Sequence, residues 1–336
     1  MNGEFFHHSL VLILEVNIMK YFIVIKLFFE IISFFLVFAL CQAPIFSQFS
    51  GGDGTKNNPY QITSRQDMEA LADSVNNSTI SRDYNWSDGK YFILMNDITD
   101  SVRSVIGKDT SITANCCFFQ GNFDGRGHTI TLAITNANNS CAGLFGAVGR
   151  YNVAVNSAWI SNVAVNGYVI NEENIKIPDN YYSRTGGIVG FAFNDVKITN
   201  CINGADIIGL AWTGGIVGFM IGDNIVEKCI NIGTIESIGK TSDWSTMVDT
   251  SSWAAGGIAG LNFFNGTINN CINSGFIEGK DFVGGIIGNN KYSTVSNCIN
   301  TSVVKGKGKV GCIVGENNGG TIINCHYDKQ MCGGGE

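Results

Sequence analysis

Gly186-Gly-Ile-Val-Gly190, Gly214-Gly-Ile-Val-Gly218, Gly256-Gly-Ile-Ala-Gly260, Gly284-Gly-Ile-Ile-Gly288 and Gly311-Cys-Ile-Val-Gly315 are copies of one string, at steps of 28, 42, 28 and 27 residues. A second string keeps phase with it: Asn200-Cys-Ile-Asn203, Lys228-Cys-Ile-Asn231, Asn270-Cys-Ile-Asn273, Asn297-Cys-Ile-Asn300 and Asn324-Cys-His326. Each cysteine lies 14 or 15 residues after its glycine pair. A degenerate earlier copy reads Ala142-Gly-Leu-Phe-Gly146, then Ile160-Ser-Asn-Val163 with valine in the cysteine slot. Five copies in phase mark a repeat architecture.

The unit holds short β-rich pieces such as Thr267-Ile-Asn-Asn-Cys-Ile, separated by Asn and Gly. No ten-residue amphipathic pattern occurs in it, so it is not a helical repeat. Short strands joined at Asn/Gly corners fit one rung of a parallel solenoid. Asn and Gly tolerate the left-handed backbone such corners require. One rung cannot bury its own apolar face, so neighbours must stack on it. The fold expected is all-β, a right-handed parallel β-helix of about seven rungs with a short N-terminal helical cap.

The cap is read from Thr63-Ser64 followed by Asp67 and Glu69, a helix start. Met68, Leu71, Ala72 and Val75 then mark one face of a helix over 65–76. It would cover the open end of the stack, where an unpaired edge invites aggregation. Tyr91–Met95, Cys117–Gly121 and His128–Ile134 read as strands of the first rungs. The chain divides into a leader, 1–47, the cap and first rungs, 48–135, the repeats, 136–328, and a short tail, 329–336. The tail ends Cys332-Gly-Gly-Gly-Glu336 and reads as interrupted.

The leader is strongly apolar from Tyr21 to Phe46, with Lys20 and Lys26 before its densest run and small residues after it. That is the pattern of a secretory signal, with Met19 as the expected start and cleavage after Ser47. The apolar run is shorter than the roughly 20 residues a bilayer span needs. No stable membrane span is therefore expected after cleavage, the other reading of the leader being an uncleaved membrane anchor. A lipid anchor at Cys41 is disfavoured by the bulky Leu40 before it. The expected location is secreted or at the cell surface.

Composition agrees. Gly is 42 and Asn 37 of 336 residues, against three Pro. Charged residues are 15%, below the roughly 25% of ordinary soluble domains. A net charge of −7 argues against nucleic acid as a partner. A hydrophobic share of 45% excludes a disordered chain.

The paired strings resemble the GLUG repeat of bacterial surface and secreted proteins. Gly51-Gly-Asp-Gly-Thr55, Pro59-Tyr-Gln-Ile62 and Phe123-Asp-Gly-Arg-Gly-His-Thr-Ile130 are similar to the N-terminal region of such proteins. The leader ending Phe46-Ser-Gln48 is similar to those of Bacteroidetes-like bacteria. The resemblance implies a parallel β-helix on or outside the cell, adhesin-like in role.

The expected mature chain holds ten cysteines. Five share one rung slot and should form an inward column. Neighbours there would sit about 4.8 Å apart, whereas a disulfide brings Cβ atoms to about 3.8 Å. Buried thiols acting as small hydrophobes are expected. A linear column lacks the tetrahedral convergence of a metal site. Cys325 and Cys332 are candidates for a local bridge, and Cys116 and Cys117 should point opposite ways. His128 should cap the turn Asp124–His128, and Asp53, Asp97, Asp100 and Asp124 read as turn formers. Neither a cofactor nor a metal is expected.

A polysaccharide-cleaving β-helix is the enzymatic alternative. Glycoside hydrolysis needs carboxylates converging across one bond. Asp195, Asp206, Asp223, Glu227, Glu236, Glu278 and Asp281 fall in different rung phases, so no enzyme is expected. Binding is read instead from two insertions, about 171–185 and 239–255, each just before a glycine pair. They should protrude from one edge about two rungs apart. They carry Tyr181, Tyr182, Arg184, Trp244 and Trp253, with Trp212 at the same phase between them. Aromatics beside polar groups suit a glycan or a host or matrix protein. The other readings are that these aromatics fold back over the solenoid wall, and that the protein is a structural spacer.

Overall fold

A computed structural model describes residues 48–78, 85–109, 117–135, 140–150, 158–172, 183–239 and 253–331, with Lys26 in the leader. The chain divides into two compact units, Met1–Ser47 and Gln48–Glu336. The expected start at Met19, the cleavage features, Cys41, Cys116 and the tail from Cys332 lie outside the described residues.

One rung shows the construction. Its strands are Trp212–Gly214, Val217–Ile221, Ile225–Glu227, Ile230–Asn231 and Ile235–Ser237. Each pairs in parallel with its equivalent one repeat later: Trp212 with Ala254, Val217 with Ala259, Ile225 with Thr267, Ile230 with Ile272, Ile235 with Ile277. Repeated along the chain, this makes four parallel sheets among the described residues. The first and second strands of the rungs build sheets of six strands each. The third builds a sheet of nine, extended by Tyr60–Ile62, Tyr91–Leu94 and Asn122–Asp124. The architecture is a parallel β-helix.

Because equivalent residues superpose, one apolar core runs through the stack. Ile216, Val217, Met220, Val226, Cys229 and Ile235 face it from one rung, Ile258, Ala259, Ile268, Cys271 and Ile277 from the next. The corner before each cysteine slot is left-handed, at Asn162, Asn200, Lys228, Asn270, Asn297 and Asn324, with φ between 49° and 54°. Asparagine bears that conformation at low cost, which explains the Asn-Cys dipeptide.

Cys201, Cys229, Cys271 and Cys298 are buried free thiols. Their sulfurs donate to the carbonyls of Thr199, Glu227, Asn269 and Ser296 at 3.3, 3.4, 3.3 and 3.1 Å. Burial pushes the Cys229 thiol well above its ordinary value. The hydrogen bond with Cys271, with burial, pushes Cys298 up to about 12.

A second column is polar. Asn203, Asn231, Asn273 and Asn300 are fully buried and joined side chain to side chain, each Nδ2 to the next Oδ1, at 2.7, 2.7 and 2.8 Å. Each Nδ2 also donates to a carbonyl two residues on, at 3.0 Å. The ladder ends where Tyr327 pairs opposite Asn300.

Helix α1 (Arg65–Asn76) stands at the N-terminal end. Ser64 caps it by accepting from the Asp67 N–H at 3.2 Å, and the Asp67 carboxylate accepts from the Thr63 N–H at 2.8 Å. This reciprocal arrangement satisfies otherwise orphaned donors. Met68, Leu71, Ala72 and Val75 enter the main core beside Phe49, Ile62 and Leu94. Strands Tyr91–Leu94 and Thr129–Thr135 form as read from the sequence. Cys117–Gly121 forms no strand. Its bonds go to different partners, Cys117 to Lys108 and Phe119 to Ala147, so no ladder develops.

Candidate functional site

The glycine pair folds the first strand of each rung against the second. A Cβ on Gly214 would lie 2.2 Å from the Val217 carbonyl oxygen, so only glycine permits this closure. Two side chains per rung, one from each strand, then meet in a seam outside the main core. Trp212 faces Phe219 with ring centroids 4.9 Å apart. The Arg184 guanidinium lies 4.1 Å from the Phe191 ring centre. Lys309 Nζ meets Glu316 Oε2 at 2.7 Å. Ala254 and Leu261 belong to the same apolar cluster, with Phe118 and Cys141.

This seam corrects two expected binding residues. Trp212 is 4% exposed and packed. Arg184 is buried too, and its Nη1 donates to Asp109 Oδ2 at 2.6 Å. Burial opposes the Arg184 charge, but Cys141 and Asp109 beside it hold its pKa above the ordinary value. Neither side chain stands out from the edge, because the glycine bend turns both inward. Trp253 is half-buried against the chain at Gly239, where a Cβ would lie 2.8 Å from its Cε3. Tyr181, Tyr182 and Trp244 lie outside the described residues.

The two insertions, 173–182 and 240–252, lie outside the described residues, and only the strands beside them are described. Residues 173–182 and 240–252 precede Arg184–Gly186 and Ala254–Gly256, the two neighbours of Trp212–Gly214 in one sheet. Those two following strands are therefore two rungs apart at the same phase.

Asn289 was not singled out by its sequence. It takes the seam position of Phe219 and Leu261, is fully buried, and neither side-chain amide atom has a hydrogen-bond partner.

The acidic turn residues have local partners. Asp53 Oδ1 accepts from the Thr55 N–H, and Asp124 Oδ1 from the Arg126 N–H, both at 2.9 Å. Asp97 accepts from the Thr129 N–H at 2.9 Å and lies 3.2 Å from His128 Nδ1. Those bonds hold the Asp97 carboxyl below its usual range. His128 thus ties one turn to the preceding rung. Among the described residues, no three His, Cys, Asp or Glu side chains group to hold a metal. Among them too, no helix is long and apolar enough to cross a membrane.

A different corner, between the second and third strands, carries features the sequence reading missed. Asn194, Gly222, Phe264, Tyr292 and Gly319 all have positive φ, 52°, 89°, 58°, 52° and 66°. Backbone bonds from Asn194 to Ile221, Gly222 to Phe263, Phe264 to Lys291 and Tyr292 to Asn318 place them in one column. Phe264 and Tyr292 are 47% and 58% exposed, with rings stacked at 5.7 Å and 13°. Aligning the copies would have shown two aromatics in an Asn/Gly slot.

No family model matches the chain, and no curated protein matches it. Among solved structures, a Bacteroides ovatus protein described as a candidate immunoglobulin A1 protease is similar, with a TM-score of 0.54 and 21% identity. The match covers 83% of this chain and 78% of that one. At that identity the likeness is one of fold, and fold alone does not carry activity.

Proposed function

We propose that the protein is an exported, adhesin-like binding module of the GLUG-repeat kind, non-catalytic, taking a glycan or a host or matrix protein on its β-helix. The observation that supports this reading is that the strands following the two insertions, Arg184–Gly186 and Ala254–Gly256, flank the same strand, Trp212–Gly214, two rungs apart. A solenoid concentrates its per-repeat insertions on one edge, often the working one. The leader pattern supports export, and the low charge suits a rigid extracellular scaffold. The spacer reading remains the structural alternative, since Trp212 and Arg184 serve packing.

The test is a binding screen of the full chain against mucin glycans, plant polysaccharides and matrix proteins. The Trp244→Ala/Trp253→Ala variant runs beside it. Binding that the variant weakens is the expected result. No binding anywhere on the panel, with folded protein, selects the spacer. The Bacteroides ovatus protein's description makes immunoglobulin A1 a necessary further sample, and its cleavage would replace the binding module with an enzyme.

A further inference from the structure

Phe264 and Tyr292 pose a physical problem. Left-handed backbone is unfavourable for bulky residues. The same corner is filled by Asn194, Gly222 and Gly319 on other rungs, where the conformation costs little. Burial does not explain the exception, because both rings remain about half exposed. Strained positions of this kind cluster at ligand sites.

The surroundings narrow the chemistry. Phe263 lies against Phe264, with ring centroids 3.8 Å apart, and Tyr292 covers Phe264 from the next rung. Beyond Tyr292 stands Gly319, where a Cβ would lie 2.7 Å from Tyr292 Cε1. A side chain there would crowd the ring, and glycine keeps its approach open. Lys291, next to Tyr292 in the chain, is turned toward the Phe263 ring at 5.8 Å. Down the same corner the next residues are Asp195, Asp223 and Asn265, all exposed. Asp223 lies opposite Asn265, set by the flanking pairs Ile221 with Phe263 and Ile225 with Thr267.

We propose that this corner is a carbohydrate-binding face, with the exposed edge of the Tyr292–Phe264 stack receiving the apolar C–H face of a pyranose. Asp223 and Asn265 accept hydrogen bonds from its hydroxyls. The ligand class is a neutral oligosaccharide lying along the solenoid axis. An apolar ring edge beside carboxylate and amide acceptors matches a hydroxyl-rich ligand with one apolar face. The carboxylates disfavour an anionic one. The inference rests on the binding-module reading and moves the sugar contact from the insertions to the opposite end of the second strand.

The experiment titrates the full chain with hexasaccharides of β-1,4-glucose, α-1,4-glucose and β-1,4-galactose. Ring-proton resonances and calorimetry are followed. The variant is Phe264→Asn/Tyr292→Asn, which installs the residue that Asn194 already places at this corner. The expected result is that one sugar shifts the Tyr292 and Phe264 ring resonances. The variant should bind it at least tenfold more weakly while melting no lower than the parent. A sugar that binds without moving those resonances overturns the proposal, as does unchanged affinity in the variant. Binding lost only in Trp244→Ala/Trp253→Ala overturns the corner and leaves the binding module standing. No binding to any of the three sugars at millimolar concentration overturns the corner, while matrix-protein binding in the wider screen would still uphold the module.

Discussion

Asparagine does three jobs here, separated by environment. At Asn200 or Asn270 it takes a left-handed corner. At Asn231 it is buried and bonded on both sides, to Asn203 and Asn273. At Asn289 it is buried with no bond. A buried amide is inexpensive when satisfied and costly when one partner is removed. Asn231→Ala leaves Asn203 and Asn273 each short of a partner. It should cost about 2–4 kcal/mol, read as a lower denaturation midpoint. Asn289→Leu should do the opposite. Leucine already occupies this seam position at Leu261. Removing an unsatisfied amide should raise stability by about 1–3 kcal/mol. A lower midpoint would show that Asn289 has a partner in solution.

At the scale of elements, the cysteine column is the clearest case. Burial holds the Cys229 thiol neutral, and the hydrogen bond with Cys271 together with burial does the same for Cys298, raised from an ordinary 9.0 to about 12. A group whose pKa is higher folded than unfolded binds its proton more tightly in the native state. Its contribution is complete below about pH 9 and is lost as pH rises from there toward 12. Stability should therefore be flat with respect to Cys229 and Cys298 at neutral pH and fall above pH 9. Replacing Cys229 and Cys298 with Val, the residue Val163 already places in this slot, should flatten that fall. Iodoacetamide should label Cys201, Cys229, Cys271 and Cys298 only after unfolding. Rapid labelling of the native protein would show that the column opens.

For the whole molecule, the repeat acts as a stack of nearest-neighbour units. Deleting Gly256–Val283 joins Ala255 to Gly284, and Gly256 and Gly284 are registered equivalents. Asn300 would then follow Asn231, and Cys298 would follow Cys229, so both columns close up. The shortened chain should fold with the same circular dichroism and a modest loss of stability. Deleting half as much, Gly256–Asn269, throws every later column out of phase and should abolish folding. If both deletions behave alike, rung phase does not govern the fold.

Much of the architecture was legible along the chain. The period, the corner asparagines, the inward cysteine slot and helix α1 are local patterns. In a stack they must superpose, because each rung pairs with its own copy. The positions of the insertions follow from that phase. What only the tertiary structure decided is which way several side chains face. The bend at each glycine pair lays two strands against one another and closes a seam outside the main core. Period-two alternation carries no record of that bend, so Arg184 and Trp212 read as exposed and are buried. The asparagine ladder and the Phe264–Tyr292 stack arise likewise between rungs, from residues 27 to 42 apart in sequence that become partners once the stack sets their register.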